Sequence, residues 1–195
     1  MQATLTNKKS LMQYDVKVFS NQYPSVHSFA LHLICFRVLK EQCQTYGLEH
    51  DPFWVMTINA HVLRAAILWC NVFGSYETSD LHWKKLSIQN SANVETSFRE
   101  GVLKATKLDW AAWNVYWREF TDFRNQYAAH GDLDFRGKVP NFDIALNVAY
   151  FYDEWVRSEV LEPNEMDNNP PLIDVINDYE RDLRVKLSAL LSSSS

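Results

Sequence analysis

DWAAWNVYWREFTDFRNQYAAHGD, from Asp109 to Asp132, decides the fold class. Seven aromatic residues stand in it: Trp110, Trp113, Tyr116, Trp117, Phe120, Phe123 and Tyr127. At about 100° per residue they form one broad stripe centred at about 280°, with Trp110 set at zero. Asp109 supplies a helix cap ahead of the run, and Gly131 suits the C-terminal stop. The stretch predicts a helix with one face made for a core.

The neighbouring segments read the same way. Pro24-Ser25 opens a first helix that runs to about Tyr46 and stops at Gly47, with Phe29, Leu33, Phe36 and Leu39 at helical spacing. Asp51-Pro52 opens a second helix through Ile58, Val62, Ala65 and Trp69, ended by Gly74. A short element follows at 81–86, then a third helix over 91–107. Beyond the polar loop 132–139, a fifth helix spans about 141–160 and a sixth 172–191. With five Gly and six Pro, the chain has little of the turn punctuation that sheets require. The expected fold is all-α, a single-domain bundle of five or six helices. Residues 1–23 read as a polar lead-in, 24–191 as the helical domain and 192–195 as a flexible serine tail.

Composition narrows the setting. Length and a 47% hydrophobic content suit one packed domain and exclude a disordered chain. Cys35, Cys43 and Cys70 are odd in number and form no CxxC pair, which fits reduced thiols and argues against a disulfide framework. The opening MQATLTNKKS has no apolar segment of a signal peptide, and no run of about eighteen apolar residues appears. The expectation is a cytoplasmic protein with no membrane span. Net charge is −5, which weighs against broad nucleic-acid binding. The charge is uneven: residues 82–107 carry a basic excess of three, and 153–182 an acidic excess of eight. Such runs read as solvated faces, or as one face that tolerates an anion and one that repels it.

The chain has no glycine-rich phosphate loop, no HExxH and no GxSxG. His27 and His32 are five residues apart, which does not bring them onto one helix face as metal ligands. No metal and no cofactor is expected. What remains is RNQYAAHGD, Arg124–Asp132. On an ideal helix Arg124 falls at about 320° and His130 at about 200°, so both flank the aromatic stripe. A guanidinium at such an edge is costly without a partner. One explanation is structural: Arg124 pairs with a carboxylate of a neighbouring helix, and His130 donates to a carbonyl near the helix end. The other is chemical. His82, Lys84 and Lys85 have two readings as well: a phosphate contact beside the site, or a His82 cap with Trp83 packed into the core. The tryptophan-rich face can stack bases, although helical spacing reads first as core.

Arg124 followed by Asn125, with His130 five residues further on, resembles the signature of the HEPN superfamily (higher eukaryotes and prokaryotes nucleotide-binding domain). WCNVFG (69–74), LHWKKL (81–86), FRNQYAAHGDL (123–133) and VPNFDIAL (139–146) resemble bacterial HEPN-like proteins near the abortive-infection AbiU-type branch. The resemblance implies a helical homodimer in which two copies of the motif face each other. It implies metal-independent cleavage of RNA, with Arg124, Asn125 and His130 as catalytic residues and His82, Lys84 and Lys85 near the substrate. It also implies a role as a toxin or phage-defence effector, with an antitoxin protein as partner. Two rival readings stand beside it: a non-catalytic HEPN-like module that dimerises or binds nucleotide or protein, and an unrelated helical scaffold.

Overall fold

Asp15 starts the bundle. Its carboxylate accepts from the Val18 amide at 2.9 Å and caps α1, Val16–Thr45. The computed structural model describes residues 13–88, 93–129 and 139–192, and of 127–129 the backbone alone. α1 therefore begins eight residues before Pro24, which lies inside it rather than at its start. Proline removes one amide from the helical ladder. The carbonyl that loses its donor is that of Ser20, which is exposed, so water satisfies it at little cost.

A turn through Gly47, at φ +68°, reverses the chain into α2, Pro52–Phe73. The Asp51 carboxylate accepts from the Phe53 and Trp54 amides, and Pro52 occupies the first turn as expected. By length and composition alone α2 is apolar enough to cross a bilayer, a test that the core helix of a bundle also passes. Asn59, His61 and Arg64 interrupt its apolar run, yet the window as a whole remains apolar. Its C-terminal half packs into the core through Val62, Ala66, Trp69 and Phe73.

Two 3₁₀ turns follow, Tyr76–Thr78 and Trp83–Leu86, and then α3, Val94–Thr106. Lys107, in the left-handed region at φ 57°, ends α3. The Asp109 carboxylate accepts from the Ala112 amide at 2.8 Å and caps α4, Trp110–Asp122. A π-helical segment, Phe123–Ala129, continues α4. α5 is Phe142–Val156, capped by Asn141 and continued by a second π segment, Arg157–Leu161. α6, Leu172–Ser192, lies along α1 and takes in a residue assigned above to the tail. These six α-helices form one bundle, with no strand among the described residues.

Trp69 marks the centre of the core. It is fully buried, its ring 4.3 Å from Phe120, and its indole N–H donates to the Ala145 carbonyl at 3.2 Å. One side chain thus joins α2, α4 and α5. Burying an indole of this size contributes on the order of 3 kcal/mol. Trp83 stacks on Phe98 with centroids 3.9 Å apart and pins the second 3₁₀ turn to α3. α3 and α5 approach so closely that a Cβ at Gly101 would run into the Phe151 ring.

Candidate functional site

The π segment sets the position of Arg124. Its hydrogen bonds run i→i+5, so the turn is wider than that of α4 and the 100° step no longer holds past Asp122. The angles predicted above for Arg124 and His130 do not apply there. Short π turns recur at functional positions in helices. Phe123 is fully buried, Arg124 is half-buried, and Asn125 is exposed. His130 and Gly131 lie outside the described residues.

Arg124 sits against α2 beside Cys70. Burial pushes the Cys70 thiol up to about 12, and the Arg124 guanidinium opposes that rise. The guanidinium also hydrogen-bonds the Cys70 sulfur, but its buried Nε has no hydrogen-bond partner among the described residues. Among the described residues no carboxylate forms an ion pair with it. The structural reading of Arg124 as half of an interhelical salt bridge therefore finds no partner there. A thiol held neutral by burial adds no compensating charge. The cation is left with capacity for an anion.

The structure places His82, Lys84 and Lys85 elsewhere. His82 is the cap of the turn Trp83–Leu86, and its Nδ1 accepts from the Lys84 amide at 3.2 Å. Burial first, and then the charges of Lys84 and Lys85, pull its pKa down to about 4. His82 is thus neutral at pH 7 and offers a phosphate no positive charge. Lys84 pairs with Glu95 at 2.8 Å, and Lys85 pairs with Asp80 at 3.1 Å beside the Tyr76 ring. His82 and Lys84 do line a groove of about 370 Å³, together with Trp110, Trp113 and Trp117 of α4 and Arg99 of α3. Arg124 does not line it.

Two groupings were not foreseen from the sequence. His32 and His61 meet across α1 and α2 with their Nδ1 atoms 2.9 Å apart. Burial lowers the pKa of both rings. No group of three or more His, Cys, Asp or Glu side chains gathers to hold a metal among the described residues. The other grouping is a buried carboxylate centre. Asp153, 2% exposed, accepts from the Tyr23 hydroxyl at 2.7 Å, the Arg157 Nε at 3.0 Å and the Leu172 amide at 2.9 Å. His27 lies 3.5 Å away. Burial alone would raise the Asp153 pKa, but the close approach of His27 and the hydrogen bonds from Leu172, Tyr23 and Arg157 outweigh it and hold it at about 2. Partners so distant in the chain carry no local signal, which is why spacing did not reveal them. No protein-family model matches the sequence, and comparisons with curated proteins and with solved structures find no match either.

Proposed function

We propose that this chain is a HEPN-type, metal-independent endoribonuclease that acts in the cytoplasm as a homodimer. The observation that carries the reading is Arg124: a guanidinium on a π turn, with no partner for its buried Nε and no paired carboxylate among the described residues. A protein that keeps a cation in that condition gains from it when an anion arrives. In the proposed reaction the 2′-oxygen of a ribose attacks the adjacent phosphorus. The bond from phosphorus to the 5′-oxygen breaks, leaving a 2′,3′-cyclic phosphate and a 5′-hydroxyl. One proton leaves the 2′-hydroxyl and one reaches the departing 5′-oxygen. A histidine side chain is the residue type suited to that transfer at neutral pH, and His130 supplies it. Arg124 offers its fork of donors to the charge that gathers on the phosphorane. Asn125, exposed beside it, orients either group. Two copies of the motif across a two-fold axis would complete the site, and an antitoxin would act by covering it.

The test is cleavage of a single-stranded RNA in EDTA, with the product ends analysed. Wild type should yield 2′,3′-cyclic phosphate ends. His130→Ala should slow cleavage by about 10²–10⁴-fold. Cleavage that disappears with EDTA, or that survives His130→Ala unchanged, would refute the mechanism. Binding without products would favour the non-catalytic reading.

A further inference from the structure

We infer that the groove between α4, α3 and the first turns after α2 holds an unpaired base of a single-stranded RNA. This inference rests on the reading above for its choice of strand. It adds a recognition site that Arg124 does not line.

The groove is made of ring faces left open. Trp110 is 52% exposed, and Trp113 and Trp117 are half-buried, while Tyr116 and Phe120 of the same helix are fully committed to the core. Tyr76, 47% exposed, lies on the same groove. A volume of about 370 Å³ suits one planar heterocycle and its sugar. Three groups can read the edge of such a ring. The Asn114 amide makes no hydrogen bond among the described residues, and neither does the Trp113 indole N–H. His82 is neutral and its Nδ1 is occupied by the Lys84 amide, so its proton sits on Nε2. An alkyl chain would waste all three, and a quaternary ammonium would meet Lys84 and Arg99.

Charge points to stacking rather than to a phosphate cage. Lys84 and Arg99 share Glu95, at 2.8 and 3.3 Å, and Glu77 also lines the groove. Arg99 is exposed and its pair with Glu95 is weak, so it can turn to one backbone phosphate. The groove also lies on the way to Arg124. Trp110 and Trp117 stand seven residues, two turns, apart on α4, and Arg124 lies in the π segment that continues it. Trp117 donates to the Phe73 carbonyl, one turn of α2 beyond Cys70, which neighbours Arg124. Trp117 and Arg124 thus both meet the C-terminal half of α2. A strand with one base in the groove can reach Arg124 with a nearby phosphate.

The test is calorimetric titration with a six-nucleotide 2′-deoxy oligonucleotide, which lacks the 2′-hydroxyl that cleavage consumes. Binding is thereby read apart from cutting. Trp110→Ala should weaken binding by about 5- to 140-fold, the range expected for one stacked base. Asn114→Ala should weaken it as well, and neither exposed or half-buried site should disturb the melting midpoint. Binding should fall with salt at a log–log slope of about −1.4, that of two phosphate contacts, at Arg99 and Arg124. Ribose 5-phosphate, which has no base, should not compete. Equal affinity in Trp110→Ala and wild type, effective competition by ribose 5-phosphate, or a slope several times steeper would each overturn the inference. A mononucleotide that binds as tightly as the hexamer would overturn the choice of a strand. Trp110-dependent binding in a protein that cuts no RNA would support the groove while refuting the ribonuclease reading.

Discussion

Two arginines occupy comparable places in this bundle and live in opposite conditions. Arg157 opens the π segment that follows α5, and Arg124 lies in the π segment that follows α4. The Arg157 Nε donates to Asp153, and its terminal nitrogens donate to Asp167 and to the carbonyls of Asn169 and Pro170. It ties the segment ahead of α6 to the end of α5. Among the described residues the buried Arg124 Nε has no acceptor, and the guanidinium's hydrogen-bond partner is a thiol, Cys70. A cation whose donors are all occupied is part of the architecture. One with unmet donors, at a wide helical turn, is available for chemistry. The same residue type in the same kind of turn therefore tells little until its partners are counted.

The largest stability effect should come from the satisfied arginine. Asp153→Asn leaves Arg157 buried without its main counter-charge. It should cost about 3–5 kcal/mol, or roughly 6–20 °C in melting midpoint for a chain of this size. A loss within about 2 °C would show that the Asp153 centre does not hold α6 in place, and the comparison would fail on that side. Acid should give a smaller effect from the same group. The Asp153 pKa lies at about 2 when folded, against 3.8 ordinarily. Its contribution is present above about pH 4 and is lost as pH falls towards 2. The size is on the order of 2 kcal/mol. Thermal melts from pH 5 to 2 should show that loss in wild type, and Asp153→Asn should flatten it.

Much of the fold was legible because helix caps and helical spacing are local. Asp51, Asp109 and the aromatic run 110–123 signalled α2 and α4 within a residue or two. Pro24 misled because a proline that suits a first turn is also tolerated inside a helix where the orphaned carbonyl faces water. The aromatic stripe held more information than a single reading drew from it. Tyr116 and Phe120 fall at about 240–280° and are buried. Trp113, Trp117 and Trp110 fall at about 300–360° and stay partly open. The phase therefore separated core from groove, while residue type alone merged them. Arg124 stood out in the sequence by its spacing to His130, but its want of a carboxylate among the described residues did not. That depends on Cys70, fifty-four positions earlier in the chain, and on a π turn that no local pattern announced. The Asp153 centre joins residues 23, 27, 153, 157 and 172, and only the packed bundle brings them together.

The most direct measurement takes one sample of Arg124→Ala and reads both its melting midpoint and its cleavage of RNA in EDTA. Loss of the guanidinium orphans no described carboxylate and leaves only the neutral Cys70 sulfur, a weak acceptor, without its donor, so the midpoint should stay within about 2 °C of wild type. Cleavage should fall by about 10²–10³-fold, as when a donor to a developing negative charge is removed. A midpoint that drops as far as that of Asp153→Asn, with cleavage preserved, would make Arg124 a second structural arginine and contradict the account.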